Sequence, residues 1–301
     1  MSRQSKYVKL ANSMLSVLKH GRISLYFHKK SNHIFTVWQH IILLTLRQYE
    51  NKSYRRFVEW LEEANNLLQY LQLKRIPHFT TLQKFAARIS NSILQKILLS
   101  FVIAHDNQGQ GHTIGIDATG FKSAFSQYYD NRTATTANVS KRTFIKNTIC
   151  VDTNRQLICK TKTRHSYCHD NIDFIPVLYA IQNLPISLVV ADKGYDDEKN
   201  HKFVRECLLS YSIIPTRFES VPVWKTHGRY RKQMKRGYDI KLYHQRNKVE
   251  TIFSVIKRMF GEYIRSMKIM TKNRELVFRC IAYNVHRHVK LVAVVWFLHS
   301  R

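Results

Sequence analysis

The sequence predicts an α/β protein in which a mixed sheet flanked by helices follows a helical N-terminal domain. Two observations predict this fold class. Up to about residue 105, apolar residues recur at three- and four-residue spacing, as in amphipathic helices. Beyond that point, short β-branched runs alternate with helical patterns, which is typical of a sheet with helices packed on it. We therefore predict a helical domain over residues 1–105 and an α/β domain over residues 106–301.

The N-terminal domain is predicted to contain three helical stretches, "HIFTVWQHIILLTLRQYE", "YRRFVEWLEEANNLLQYLQL" and "RIPHFTTLQKFAARISNSILQKILLSF". In the third, Pro77 interrupts the chain and Thr80 or Thr81 can cap a new helix. The inner face of that helix is predicted to hold Leu82, Phe85, Ile89 and Ile93. A helix pair with this turn and basic outer positions is either a helix-turn-helix that enters a DNA groove or a plain helical subdomain. The sequence favours neither.

The second domain begins with three predicted strands, "TIGIDATGF", "TFIKNTICV" and "QLICKTKT". The last two are separated by "DTNR", which predicts a hairpin turn. A helix, the apolar strand "ISLVVAD", a second helix, the strand "YSIIPT" and a final helix follow. The long polar stretch "KSAFSQYYDNRTATTANVSK" between the first two strands is either an ordered substrate loop or a disordered segment.

The charge of the chain indicates a polyanionic partner. There are 49 Lys and Arg residues against 20 Asp and Glu, a net charge of +29. Residues 1–105 hold 16 basic and 4 acidic residues, or +12, and residues 106–301 hold 33 and 16, or +17. Because both domains carry the excess, a basic tail on a neutral enzyme is excluded. Nucleic acid is the simplest partner.

The cellular location of the protein is predicted from the absence of membrane-spanning and signal-peptide patterns in the sequence. No apolar run approaches the roughly 20 residues that span a bilayer, and the N-terminus has no signal-peptide pattern. We therefore expect a cytoplasmic, nucleoid-associated protein with no membrane partner. The five cysteines are scattered and form no Cys-x-x-Cys pair, so we expect reduced, buried thiols.

Two aspartates follow apolar strand patterns. Asp117 closes "TIGID" and Asp192 closes "ISLVVAD". Ligand sites of open α/β sheets gather at such strand ends. An aspartate also often ends a strand and caps the next element without further function. Two of them, on strands that can be adjacent, favour a site.

A third carboxylate, Glu250, lies in the basic stretch "YHQRNKVETIFSVIKRMF". At roughly 100° per residue, a helix that includes Tyr243 places Arg246, Glu250 and Lys257 with it in an arc of about 60°. The apolar face beside this arc is predicted to hold Val249, Ile252, Phe253, Ile256, Met259 and Phe260. The stripe therefore lies at the edge of the buried face, where a helix packed on the sheet reaches the strand ends.

Three carboxylates in a basic protein suit a metal centre. Carboxylate oxygens hold Mg²⁺ or Mn²⁺, which also accept phosphate oxygens. Two such ions can activate a nucleophile and stabilise the leaving oxygen of a phosphodiester. Cations around the carboxylates neutralise a DNA backbone that they would otherwise repel.

With these residues in place, the chain resembles the DDE transposases of bacterial and archaeal insertion sequences. The resemblance covers about residues 110–290 and rests mainly on the signature Y-x2-R-x3-E-x6-K, met by Tyr243, Arg246, Glu250 and Lys257. "IGIDATGF" and "VVADKGYDD" resemble the segments around the family's two aspartates, which carry over to Asp117 and Asp192. Many relatives have Asp after the proline where this chain has "PHFTTL".

The resemblance implies an RNase H-like catalytic domain and metal-dependent DNA cleavage and strand transfer of the cut-and-paste type. Asp117, Asp192 and Glu250 are then the catalytic metal ligands, with two Mg²⁺ or Mn²⁺ ions. The implied partners are double-stranded DNA, as terminal inverted repeats and target, and a second copy of the chain in a homodimer on DNA. Residues 1–105 are then expected to bind the DNA ends.

Further DNA contacts are predicted in residues 227–248, which hold eight basic residues and one acidic residue, interleaved with tyrosines. The basic residues placed there are Arg229, Arg231, Lys232, Lys235 and Arg236, beside Tyr243, Arg246 and Lys257. A solvated loop would show the same composition. In "TRHSYCHDNID" the spacing of His165, Cys168, His169 and Asp170 favours a loop-shaping role over a zinc site. Asp196 and Asp197 are expected to cap the next helix.

Two other functions stay open from the sequence. A metal-dependent nuclease would cut DNA without joining it, and a non-catalytic DNA-binding protein derived from a transposase would do neither. The complete set of three carboxylates argues against the second alternative. The complete Tyr-Arg-Glu-Lys signature favours a transposase over a nuclease.

Overall fold

The structure is a computed structural model that describes residues 5–30, 32–106, 111–123, 144–166 and 168–299. The chain forms two compact units. The helical unit comprises Met1–Ala104, Arg258–Gly261 and Ser266–Arg301, and the sheet unit comprises His105–Lys257 and Glu262–Arg265. The sequence placed residues 266–301 with the α/β domain, whereas the structure places them in the helical unit. The polar stretch between the first two predicted strands lies largely outside the described residues.

The described secondary structure contains the predicted elements in their predicted order and adds elements that were not predicted, namely Lys6–His20, Arg229–Arg236, Tyr263–Ile264 and Ile269–His299. Its α-helices are α1 Lys6–His20, α2 Val37–Tyr49, α3 Tyr54–Glu63, α4 Asn65–Tyr70, α5 Phe79–Arg88, α6 Asn91–Ile103, α7 Asn171–Tyr179, α8 Glu198–Lys202, α9 Arg229–Arg236, α10 Ile240–Tyr243, α11 Asn247–Phe260 and α12 Ile269–His299. Its strands are β1 His112–Ser123, β2 Phe144–Asp152, β3 Leu157–Arg164, β4 Ile186–Ala191, β5 Tyr211–Ile213 and β6 Tyr263–Ile264. The helical unit contains α1–α6 and α12, and the sheet unit contains the six strands.

Local sequence sets where the helices of the helical unit begin. Helix α2 starts at a capping box in which the Thr36 hydroxyl accepts a bond from the Gln39 amide and the Gln39 side chain accepts one from the Thr36 amide. The second predicted helical stretch is divided into α3 and α4 at Ala64. Helix α6 starts after Ser90, whose hydroxyl accepts a bond from the Ile93 amide.

The third predicted helix begins earlier in the sequence than expected and also ends earlier. It begins at Phe79 directly after His78, so the prediction of a cap at Thr80 or Thr81 was wrong. It ends at Arg88, because Ile89 has extended backbone angles and turns the chain by 89° into α6. Within the described residues, no single helix has the length and apolar composition of a membrane span, although α5 and α6 together meet those criteria across their bend.

The helical unit has a dense apolar core. Helix α12 packs against α1, α2, α5 and α6. Fully buried side chains of this core include Leu18, Ile41, Ile42, Leu98, Phe101 and Ile281. Arg279 of α12 is also buried, and it donates hydrogen bonds to the Glu275 carboxylate and to the carbonyl oxygen of Gly261. The burial of α12 against N-terminal helices explains why residues 266–301 belong to this unit.

The sheet unit is built on a mixed sheet with strand order β3-β2-β1-β4-β5, and β6 pairs with the end of β1. Strand β1 is antiparallel to β2 and parallel to β4. Strands β2 and β3 form the predicted antiparallel hairpin around "DTNR". The predicted fold class, a mixed sheet flanked by helices, is confirmed.

Helix α7 covers β2 and β3. Its Asp173 is fully buried but has cationic partners, with Lys162 at 3.1 Å and Arg164 at 2.8 Å. In the loop before this helix, Asp170 binds the buried ammonium group of Lys146 at 2.6 Å, which is a loop-shaping contact of the kind that the sequence favoured. Helix α8 is capped by Asp197, as predicted, through a bond from the Lys199 amide.

None of the five cysteines forms a disulfide, but they are not all buried. Cys150, Cys159 and Cys280 lie in the core, as expected for small apolar side chains. Cys168 is half-buried and Cys207 is exposed, which corrects the expectation of five buried thiols.

Candidate active site

The two predicted aspartates lie side by side on adjacent parallel strands. The last pair of the β1–β4 ladder is Ile116 with Ala191, so Asp117 and Asp192 are the next residues of their strands. Strand β1 covers the predicted strand "TIGIDATGF" and stays paired with β2 as far as Lys122, so the expectation that Asp117 closes its strand was wrong. Asp117 is instead the first residue of β1 beyond the β4 ladder, and this open side of β1 gives its carboxylate room.

Helix α11 brings Glu250 to the same place, and a glycine allows the approach. A Cβ atom on Gly115 of β1 would lie 2.5 Å from Cγ2 of Val249 and 2.9 Å from Cγ2 of Thr153. Only a residue without a side chain lets α11 pack this closely on the strand. Val249 is fully buried in that contact, and Glu250 follows it directly. The first turn of α11 therefore lies beside the strand that carries Asp117.

The helix that carries Glu250 begins later than the sequence predicted. Tyr243 ends the short helix α10, and residues His244–Arg246 form a 3₁₀ turn before α11 starts at Asn247. The prediction that one continuous helix carries the whole signature was therefore wrong. Glu250 and Lys257 do share α11, two turns apart, while Tyr243 and Arg246 reach the region from the preceding turn.

Arg246 joins two of the three carboxylates. Its Nη1 atom lies 2.8 Å from Oε1 of Glu250 and 3.8 Å from Oδ2 of Asp117. The side chain of Arg246 is only 16% exposed, whereas that of Glu250 is 54% exposed. The guanidinium group thus lies inside the site, and Glu250 extends from it toward solvent.

The carboxyl group of Asp117 is held at an electrostatic cost in this site. Burial raises its pKa from 3.8 to about 6, against the lowering effects of a hydrogen bond from the Ala118 amide and of the Arg246 charge. The charges of Asp192 and Glu250 raise the pKa further. The carboxyl group of Asp117 is therefore close enough to the two other carboxylates to be affected by their charge, and a bound cation would relieve that repulsion.

A shallow cleft of about 430 Å³ opens in front of Asp117 and Glu250. It is also lined by Lys257, whose ammonium group lies 3.7 Å from the Glu262 carboxylate and 5.7 Å from the Phe121 ring centre. Glu262 was not predicted. Gly261 was the residue in the sequence that could have indicated it, because a glycine often ends a helix. Gly261 follows the end of α11 with a φ of 77°, and the chain after it forms β6, which pairs with β1.

The donor chemistry of the site fits a hard divalent cation, because Asp117, Asp192 and Glu250 offer only carboxylate oxygens. In the part of the chain that the structure describes, no three His, Cys, Asp or Glu side chains are gathered closely enough to hold an ion as they stand. In this arrangement the carboxylate of Glu250 is paired with the guanidinium group of Arg246 at 2.8 Å.

Tyr243 is anchored in the sheet unit. Its ring packs on a cluster of Leu188, Val190, Ile213 and Met234. The ring of Tyr238 meets it edge-on at 5.5 Å. Burial raises the pKa of the Tyr243 hydroxyl, and the charge of Asp192 contributes in the same direction. The conformation of the turn that presents Arg246 is thereby fixed by an apolar contact.

The five basic residues that were predicted to contact DNA lie on α9 and have different surroundings. Arg231 binds the buried carboxylate of Asp196 through both Nε and Nη2, at 2.7 Å each, and Lys235 donates to the carbonyl oxygen of Val221. Arg229 and Arg236 are exposed and Lys232 is half-buried. Arg231 and Lys235 thus stabilise the protein itself, and the DNA-binding role of all five residues stays a prediction.

Comparison with known proteins identifies the family of the chain. Among solved structures, the chain is similar to the piggyBac transposase in a synaptic complex with hairpin DNA, with 10% sequence identity, a TM-score of 0.46, and coverage of 94% of this chain and 74% of that one. No curated protein sequence matches. Residues 109–285, more than half of the chain, match the family described as "Transposase DDE domain". The chain therefore belongs to the transposase DDE domain family.

Proposed function

We propose that this protein is the transposase of an insertion sequence, which cleaves the ends of its element and joins them to target DNA. The observation that carries the proposal is that Asp117 and Glu250 line one cleft, with Asp192 directly after the strand that pairs with β1, in a chain of net charge +29. Acidic side chains are scarce in this chain, and their concentration at the sheet edge has a clear use in phosphodiester chemistry.

In this proposal Asp117 and Asp192 hold one or two Mg²⁺ or Mn²⁺ ions, and Glu250 completes the ligand set. When bound, such ions would activate the attacking hydroxyl or water and stabilise the leaving oxygen of the phosphodiester. The contribution of the chain is to fix two ligands on adjacent strands and the third on a helix held close by Gly115. Arg246 neutralises Glu250 until a cation takes its place.

The cationic side chains of the site have a separate task. Lys257 lines the cleft beside the carboxylates, and Arg246 borders it. Both would hold the DNA backbone at the reacting phosphate, because a phosphodiester would otherwise be repelled by three carboxylates. Further contacts are proposed for Tyr243 and for the exposed Arg229 and Arg236. Binding of the terminal repeats by the helical unit, and pairing of two copies on DNA, are part of the same proposal.

The proposal is tested by cleavage of DNA that carries the two ends of the element, with separate detection of cut and joined products. We expect cleavage and joining with Mg²⁺ and neither in excess EDTA. Glu250→Gln should abolish both reactions. Glu262→Gln is a matched control, since its side chain is 51% exposed against 54% for Glu250 and lines the same cleft.

Equal losses in Glu250→Gln and Glu262→Gln would show that the effect is general to the cleft and would contradict the assignment of Glu250. Cleavage without joined products under all conditions would replace the transposase with a nuclease. Cleavage undiminished by EDTA would contradict the metal-dependent reaction.

A further inference from the structure

The helical unit contains an open pocket of about 570 Å³ that the proposed chemistry does not use. It is formed by the segment that precedes α2, by α2 itself and by α5. Its volume lies in the range of about 300–1,000 Å³ that is usual for small-molecule sites. Its lining combines several aromatic rings with arginines and includes no carboxylate among the described residues.

The aromatic rings offer a flat stacking surface. Phe85 stacks on His40 with centroids 4.3 Å apart and an interplanar angle of 10°, and it is parallel to Phe27 within 11° at 6.2 Å. The outer ring, Phe27, is 47% exposed, although a phenylalanine is costly to leave in water. An exposed ring in line with two others is suited to stack with a planar ligand.

His40 lines the same pocket and carries a hydrogen-bond acceptor. It is buried, and burial lowers its pKa, so that its ring is neutral at pH 7. Its Nδ1 atom lies 3.0 Å from the carbonyl oxygen of Thr36, which can only accept, so Nδ1 carries the proton. Nε2 is therefore an acceptor, and no described residue donates a hydrogen bond to it.

Two arginines give the pocket a cationic border. Arg75 lies 5.8 Å from the centre of the Phe35 ring, and the charge of Arg88 acts on His40. Both arginines are exposed, and neither has an acidic partner among the described residues. A ligand that combines a flat heterocycle bearing N–H donors with a negative group would satisfy the rings, the imidazole and the guanidinium groups together.

We propose that this pocket binds a single unpaired nucleotide of DNA, with its base stacked on Phe27 and its phosphate beside Arg75 and Arg88. The inference rests on the proposed function in one respect, namely that the chain acts on DNA. An unpaired base has both faces and its pairing edge free, whereas a base within a duplex offers neither. The pocket would therefore favour a DNA end or junction over uninterrupted duplex.

The test uses the full chain without divalent ions, so that cleavage does not interfere. The probes are a fluorescein-labelled duplex with one unpaired adenine, the same duplex with an abasic residue at that position, and dAMP alone. Fluorescence anisotropy gives the affinity. We expect Phe27→Ala to weaken binding of the unpaired-adenine duplex about 5- to 150-fold, the range for loss of one stacked base, and to leave the abasic duplex unchanged.

Phe27→Trp should retain the preference for the unpaired adenine. Leu25→Ala is the matched control, because Leu25 is also 47% exposed, lies two residues away and does not line the pocket. It should change neither affinity.

Equal effects of Phe27→Ala on both duplexes, or no effect on either, would overturn the pocket's assignment while leaving the proposed transposase intact. Binding of dAMP as tight as that of the unpaired-adenine duplex would assign the pocket to free nucleotides instead of DNA. Failure of the wild-type chain to bind either duplex would overturn this assignment and the proposed function together.

Discussion

Replacing Asp117 by asparagine should stabilise the metal-free protein at neutral pH. The folded protein raises the pKa of this carboxyl group from 3.8 to about 6, so ionised Asp117 is less favourable in the folded state than in the unfolded chain. The difference corresponds to up to about 3 kcal/mol, at 1.36 kcal/mol per pKa unit. Asparagine keeps the shape and the acceptor oxygen for the Ala118 amide but has no charge to bury.

The pH dependence follows from the sign of the shift. Below pH 3.8, Asp117 is protonated in both states and the two proteins should be equally stable. Between pH 3.8 and about 6, the unfolded chain of the wild type ionises while the folded one does not, so the wild type loses stability relative to the variant. Above about pH 6 the difference should be constant and at its largest.

Thermal unfolding in EDTA, followed from about pH 3.5 to 8, measures this difference. A gain of up to about 3 kcal/mol corresponds to a rise in Tm of about 6–12 °C for a domain of 150–250 residues. Asp173→Asn is the control of opposite sign, because Asp173 is fully buried but is paired with Lys162 and Arg164. Removing its charge leaves two cations without their partner and should destabilise the fold. An Asp117→Asn protein less stable than the wild type at neutral pH would refute the view that this carboxylate is held at an energetic cost.

Four further outcomes are expected. Lys257→Ala should weaken binding to all DNA sequences, and the slope of log affinity against log salt concentration should fall by about one, as for one lost phosphate contact. Anisotropy titrations at several salt concentrations measure this slope. An unchanged slope would show that Lys257 does not contact a DNA phosphate. Arg246→Ala should tighten Mg²⁺ binding by calorimetry, since Glu250 loses the guanidinium group at 2.8 Å, and weaker Mg²⁺ binding would contradict that competition. Arg231→Ala should destabilise the protein by about 3 kcal/mol, because it leaves the buried Asp196 carboxylate unpaired. Arg236→Ala is the control and should not change the stability, because Arg236 is exposed. Equal unfolding midpoints for the two variants would contradict this prediction. A fragment starting at Asp106 should aggregate, since α12 loses the helices on which it packs, and a monomeric, cooperatively folded fragment would show that those contacts are dispensable.

The strands and the two aspartates were predictable from the sequence because short-range patterns determine them. The apolar strand "ISLVVA" ends at a charged residue, and the hairpin around "DTNR" has a local turn signal. The position of Asp117 within β1 was harder to predict, because the strand was expected as "TIGIDATGF" but Asp117 was also expected to close it. Asp117 interrupts the apolar pattern, yet β2 continues to supply backbone partners beyond it, and that ladder depends on a strand distant in the sequence.

The signature helix shows where periodicity is insufficient. The spacing of the four signature residues fits one helix face. In the structure, Glu250 and Lys257 line one cleft and Arg246 borders it. The 3₁₀ turn at His244–Arg246 could not be predicted from the sequence, because each of its residues is also compatible with an α-helix. Tyr243 packs on Leu188 and Val190 next to this turn, and no local pattern in the sequence encodes that contact.

The geometry of the site explains why Glu250 is the single acidic residue in the basic stretch "YHQRNKVETIFSVIKRMF". Three carboxylates near one another repel, and the folded state without a cation must offset that repulsion. Arg246 does so from within the site, with Nη1 in contact with Glu250 and within 3.8 Å of Asp117. A lysine at position 250 would remove the repulsion but would also remove a metal ligand. An arginine one turn earlier allows the acidic site to fold without a metal, and it leaves a positive charge for DNA once an ion has taken its place.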